Sequence, residues 1–361
     1  MKNRNRIFAL MLSSILLMGV LSSCAGSNGS ASSSSGSPAS PSGSAPSSSQ
    51  GAAFEEMTLS LAHAAAATHP HNEAALLFAQ RVNELTGGKV TVNVYPGGEL
   101  GDQPAILESC SLGGDADLVI VSQSNIATYM PKLNALSAPF LFDDYDHAHR
   151  VIDNYVMDWI NKDMPADMGT YALSMFDYGF RHVTTNGIEI NTADNLKGVK
   201  IRVPGSAGLL AAFDALGSNT QTIAYSELYQ SLKQGVVDAE ENPVSTILAD
   251  CYYECQDQLA MTGHYFDMQT LLINNDTWES MSSELQEVLK TAAIEAQDRT
   301  RELISGGEAD TVKQLQALGM NVTYPDKSTF IAKMDPAYEK MGELAGADEM
   351  EALLAAVNEY R

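Results

Sequence analysis

The chain has 361 residues and a formal net charge of −24. An acidic excess of that size argues against a nucleic-acid partner and against docking on anionic lipid, both of which call for clustered Lys and Arg. Beyond the N-terminal region roughly 300 residues remain, enough for two modest domains.

The N-terminus reads as a targeting segment. Lys2, Arg4 and Arg6 form a positive n-region, and Ile7–Val20 is an apolar h-region too short for a comfortable membrane span. Leu21-Ser22-Ser23-Cys24 then reads as a lipobox. Residues 1–23 are therefore expected to be a signal peptide and Cys24 the lipidated residue; the alternative is an ordinary signal peptide with a chance cysteine. From Cys24 to Ala53 the chain is almost entirely Ser, Gly, Ala and Pro. That composition buries no core and is expected to act as a flexible tether reaching about 30 Å. Lipid plus tether implies an extracytoplasmic protein anchored to the cell membrane, at the cell surface or in the periplasm. Cys110, Cys251 and Cys255 remain. A Cys251–Cys255 disulfide would be awkward at helical i,i+4 spacing, a metal would want more ligands, and small buried thiols are the expectation.

After the tether, strand and helix patterns alternate. Met57–His63 reads as a strand, Glu73–Leu85 as a helix stopped by Gly87-Gly88, and Val90, Val92 and Val94 as a half-buried strand. Pro104–Leu112 reads as a helix and Asp117–Ser122 as an apolar strand, followed by a helix over Tyr145–Asn161 and a strand over Tyr171–Phe176. A second set has strands at Lys200–Val203, near Gln221 and at Val236–Ala239, with helices at Ser206–Leu216 and Ser226–Gln234. Such alternation predicts mainly parallel sheets with helices packed on them. Helical sequence then runs from Ser283 to about Leu318, about 50 Å if unbroken, with Gly306-Gly307 as the point where it could break. The tail from Pro325 reads as helix packing back on a lobe. His69 and His71 read as a solvated loop pair, since no third metal ligand sits at a recognisable interval. Asp143–Asp146 reads as an acidic helix start.

The stretch Gly179–Pro243 carries the chemistry. Arg181 lies in Gly179-Phe180-Arg181-His182 and Arg202 in Leu196-Lys197-Gly198-Val199-Lys200-Ile201-Arg202-Val203-Pro204. Tyr225 precedes Ser226-Glu227-Leu228-Tyr229, then come Gln234-Gly235-Val236-Val237-Asp238 and Glu241-Asn242-Pro243. A guanidinium is a rigid charged fork that matches a carboxylate, and two of them with an amide and a ring make a sensible clamp for an organic acid. A local arginine pair can act despite the global charge, because distant charges are screened beyond roughly 10 Å in salt. Each residue also has a plainer reading. Arg202 could hold a surface salt bridge, and Arg181 a structural pair with Asp177 or another acid. Asn242 could be a turn residue before proline, and Tyr225 a core ring.

In this order the blocks resemble the solute receptors of TRAP (tripartite ATP-independent periplasmic) transporters, from roughly Thr58 to the C-terminus. The resemblance implies a two-lobed α/β fold like that of periplasmic binding proteins, each lobe a mainly parallel sheet flanked by helices, with a long C-terminal helix spanning both. Lobe one would take residues 54–178 plus about 266–306, and lobe two 179–265 plus about 307–361. It implies Arg202 as the main carboxylate-binding residue, Arg181 as a second contact, Asn242 as an amide donor and Tyr225 as a ring against the ligand. His63, Gln123 and Ser124 are the candidates from lobe one. The implied function is capture of a small organic acid, with a sugar acid such as a uronate suiting the polar lobe-one candidates, and delivery to the small and large membrane subunits of a TRAP permease. Alternatives are a dicarboxylate or 2-oxo/2-hydroxy acid as ligand, a receptor for an ATP-driven importer, or an unrecognised enzyme. No G-x-S-x-G, Walker, H-E-x-x-H or dinucleotide glycine pattern occurs, and no catalytic residue, cofactor or metal is expected.

Overall fold

The computed structural model describes residues 54–361; the expected signal peptide, the expected lipidation at Cys24 and the expected tether lie outside the described residues. Three parallel strands open the fold: β1 (Met57–His63), β2 (Val90–Tyr95) and β3 (Leu118–Ser122). β2 alternates buried and wet residues at its start, whereas β3 is buried throughout. Helices Pro70–Leu85 and Gln103–Ser111 make the crossovers. The second starts on Asp102, whose side chain accepts from Ala105 N at 3.2 Å, with Pro104 in the first turn.

β4 (Thr170–Thr185) follows, then a second parallel set, β5 (Lys200–Val203), β6 (Asn219–Thr222) and β7 (Ala239–Pro243). β8 (Gln258–Asn274) and the short β9 (Asn321–Thr323) complete one sheet, ordered β2-β1-β3-β8-β4-β7-β5-β6 with β9 on β8. β4 and β8 run antiparallel along their whole length. One end of the pair carries β3, and through it β1 and β2; the other carries β7, β5, β6 and β9.

The two-lobed α/β architecture stands, with corrections. The lobes are not separate parallel sheets: each parallel set is attached to the same two long antiparallel strands. β4 has 16 residues where the sequence suggested Tyr171–Phe176, and β8, with 17, was not anticipated. Both are buried on both faces, so the alternation that betrays a strand is missing. β7 starts three residues later than the expected Val236–Ala239, sharing only Ala239 with it, because Glu240, Glu241 and Asn242 are all interior.

The C-terminal helix breaks at the glycine pair, into Ser283–Ile304 and Glu308–Ala317. A Cβ on Gly306 would stand 2.6 Å from Glu302 O, and one on Gly307 2.2 Å from Leu303 O. Only glycine lets the chain fold back so tightly on its own preceding turn. The first piece packs on β4 and on Pro70–Leu85; the second packs on Val244–Ala249 and β9, at the other end of the sheet.

His69 and His71, expected in a solvated loop, are buried. His69 caps the helix from Pro70, and His71 Nε2 meets Asp177 O at 2.7 Å. Cys110 is a buried thiol, while Cys251 and Cys255 flank a short 3-10 turn, half-buried and free.

Candidate functional site

A cavity of about 780 Å³ opens where the parallel strands of both sets end. Ala64, Gly97-Gly98 and Ser122 follow or end β1, β2 and β3, and face Arg202, Thr222 and Asn242 at the ends of β5, β6 and β7. Tyr178, Arg181, Asp267 and Gln269 from the middle of β4 and β8 form its floor. Carboxyl ends of parallel strands are where open α/β sheets place ligands, since loops there are free to vary while the strands hold them rigidly.

Arg202 is the third residue of the four-residue β5, and Pro204 ends the strand just beyond it. Its side chain is buried, and Nε donates to Ile223 O at 3.0 Å. Among the described residues no carboxylate lies within 4.0 Å of its guanidinium, and no protein acceptor takes Nη1 or Nη2. Burial pulls its pKa downward, as desolvation does to an unpaired cation.

Arg181 is equally buried and fully engaged. Nε donates to Glu241 Oε2 at 2.6 Å, Nη1 to Asp267 Oδ2 at 2.8 Å, and Nη2 to Glu241 O at 2.5 Å and Oε1 at 2.8 Å. Burial opposes its charge, but Glu241 and Asp267 outweigh burial and hold its pKa above the ordinary value. Burial likewise resists the Glu241 charge, and Arg181 and His264 hold it below the carboxylate range. Asp267 is pushed up to about 6 by burial, against the pull of Arg181. The partner anticipated for a structural Arg181, Asp177, instead binds His149 Nε2 at 2.8 Å.

Asn242 and Tyr225 both line the cavity. Asn242 Nδ2 donates to Glu240 Oε2 at 2.5 Å, so one of its two amide hydrogens is already taken. The Tyr225 hydroxyl donates to Asp250, which fixes the ring. Of the lobe-one candidates, Ser124 lines the cavity and its hydroxyl meets that of Ser122 at 2.9 Å. His63 borders only a recess of about 10 Å³ beside the cavity, with Nε2 on Asn72 Oδ1 at 3.3 Å; burial lowers its pKa to about 4. Gln123 is a correction. It opens the short helix Gln123–Ile126, and its side chain turns to the back, to the Tyr265 hydroxyl and Leu136 O.

Sequence reasoning missed Gln103 and Asn125. Gln103 Oε1 accepts from Ser122 N at 2.7 Å and Asn125 Nδ2 at 3.0 Å, knitting the lobe-one wall together. The signal was Asp102 capping a helix just after the Gly97-Gly98 turn, since helix starts after parallel strands face such clefts. Asp267 had no comparable signal, lying within the unanticipated β8.

The model of the DctP family, bacterial extracellular solute-binding protein, family 7, matches residues 61–344. The chain belongs to the DctP family. Among DctP-type relatives, the sialic acid-binding periplasmic protein SiaP of Vibrio cholerae is 28% identical over 298 residues, covering 82% of this chain and 92% of that protein. The sugar acid binding protein DctPAm of Advenella mimigardefordensis, solved with galactonate, matches with a TM-score of 0.82 at 27% identity, over 85% of this chain and 100% of that one. A TRAP periplasmic solute binding protein of Polaromonas sp. JS666, solved with D-erythronate, matches with a TM-score of 0.79 at 28% identity, over 83% and 99%. The expectation of a TRAP-type receptor is met at the level of family and fold.

Proposed function

We propose that the protein is an extracytoplasmic receptor, not an enzyme, that holds a small organic acid in this cavity with the carboxylate on Arg202. The observation that carries the reading is the contrast in Arg202's surroundings: a buried guanidinium at a strand end, bordering a large cavity, with no carboxylate of the described residues within 4.0 Å of it. A buried cation without a partner is costly, and a ligand carboxylate is the partner that fits its fork.

The ligand is a polyhydroxylated monoacid, an aldonate or uronate, in preference to a dicarboxylate. Arg181 is already matched by Glu241 and Asp267, so the floor has no spare positive charge for a second carboxylate. The opposite wall offers neutral groups, Gln103, Ser122, Ser124 and Asn125, suited to hydroxyls. Galactonate and D-erythronate, bound by the two solved relatives, belong to this class. Tyr225 serves as the ring against the ligand's body, and Arg181 acts as a support that frames the cavity. The lobes meet across β4 and β8, lobe one holding β1–β3 and lobe two β5–β7. Delivery to TRAP small and large membrane subunits, and anchoring through lipid on Cys24, complete the proposal.

A thermal-shift panel of galactonate, D-erythronate, glucuronate and succinate tests it. Ligand at a hundred times its Kd should stabilise by about 2.7 kcal/mol, and succinate should shift the least. Absence of any shift across the panel, or an Arg202→Met variant that binds as tightly as the unaltered protein, would remove the reading.

A further inference from the structure

Glu240 lies beneath the cavity, wholly buried on β7, and it holds the amide of Asn242. Its two oxygens are in use: Thr184 Oγ1 donates to Oε1 at 2.6 Å and Asn242 Nδ2 to Oε2 at 2.5 Å. The groups that face it are Thr184 and Arg181 on β4, Arg202 on β5, Glu241 and Asn242 on β7, and Tyr252 from the turn after Val244–Ala249, with Gln256 behind Thr184. β7 and β5 pair Glu240 with Arg202 in register. The ligand-free interior therefore holds two guanidinium groups and three carboxylates, two of the latter bonded to Arg181.

An incoming carboxylate meets two difficulties here. It adds another negative charge to a buried set already rich in them, where like charges at short range disfavour joint ionisation. It also meets an Asn242 amide with one of its two donors already spent. While Glu240 is ionised, one N–H of Asn242 is committed to it, so the cavity is left with at most the second N–H beside the carbonyl Oδ1, and that acceptor repels a carboxylate. One proton removes both difficulties.

Resting on the receptor reading above, we propose that Glu240 takes up a proton from solvent when an organic anion settles on Arg202, and that the Asn242 amide turns in response to present its N–H₂ to the anion. The new O–H on Glu240 Oε2 then donates to Asn242 Oδ1, while Thr184 continues to donate to Oε1, so every polar atom keeps a partner. Glu240 is thus a positioning residue that acts through Asn242, and ligand and proton bind together. Burial, reinforced by Glu241, places its pKa at about 7 in the ligand-free protein, where a bound anion can tip it.

The test is calorimetric titration of the full chain, using whichever of galactonate, D-erythronate and glucuronate gives the largest thermal shift. At pH 7.5, in two buffers of different ionisation enthalpy, the binding enthalpies should differ by the amount expected for uptake of about one-half to one proton per ligand. Kd should rise above pH 7 by up to about tenfold per pH unit. Glu240→Gln should abolish both the proton uptake and the pH dependence while still binding the acid. Equal enthalpies in the two buffers, or uptake that persists in E240Q because Asp267 is the proton acceptor, would overturn the proposal and leave the receptor reading intact. The two-buffer comparison on the unaltered protein decides the matter even where E240Q does not fold. Failure of every probe to bind at any pH would remove the receptor reading and this inference with it.

Discussion

The middle of β4 and the end of β5 each bury an arginine, and the two could hardly be used more differently. Arg181 is enclosed by Glu241 and Asp267 with four hydrogen bonds. Arg202 has one backbone carbonyl and an open cavity. In the first region every guanidinium nitrogen meets a protein acceptor, whereas in the second only Nε does. The same side chain at the same depth is thus paired by protein acids in one place and bordered by the cavity in the other, and what separates them is whether a neighbouring carboxylate comes within bonding distance.

That division can be broken by substitution. Arg181→Ala leaves Asp267 without its cation and Glu241 with His264 alone, and should destabilise the ligand-free protein by about 3–5 kcal/mol, read as a fall in Tm. Arg202→Ala should do the reverse. It leaves the ligand-free Tm unchanged or higher, and weakens acid binding by about 2–5 kcal/mol in calorimetric titration. Equal losses of Tm in the two variants would erase the contrast.

The carboxylates sharpen it further. Glu240 has a folded pKa of about 7, raised by burial above the ordinary 4.5. A raised acid favours folding only while neutral, so its contribution is present at pH 4 and lost as pH rises through about 7. Glu240→Gln should therefore raise the ligand-free Tm at pH 8 and leave it nearly unchanged at pH 4. A Tm difference independent of pH would show that the carboxyl does not titrate there. The smallest effect belongs to the neutral wall. Gln103→Ala removes the acceptor shared by Ser122 and Asn125 and should weaken sugar-acid binding by about 1 kcal/mol; an unchanged Kd would place that wall outside the site.

Much of this was legible in the chain. The short strands β1, β2, β3 and β5 announced themselves by alternation or by apolar runs between turns. Arg202 stood out because it lies near the end of such a strand, two residues before Pro204. Asn242, Tyr225 and Ser124 were chosen from family blocks and do reach the cavity. Three things were hidden for physical reasons. β8 buries polar residues such as His264 and Asp267 by pairing them with side chains from other strands, so its polarity disguises a core strand. Arg181's engagement depends on Glu241 and Asp267, 60 and 86 residues away in sequence, and no local pattern reports a partner that far off. Gln123 failed by a single position: the chain leaves β3 straight into a helical turn, which rotates one side chain to the cavity and its neighbour to the back.

β4 and β8 each start among the strands of one lobe and finish among those of the other. No cut in the polypeptide can therefore release half of the molecule with its central strands intact, and a fragment ending near residue 178 would carry a frayed sheet edge. Melting should accordingly proceed as a single cooperative step in calorimetry, with no plateau from a surviving half.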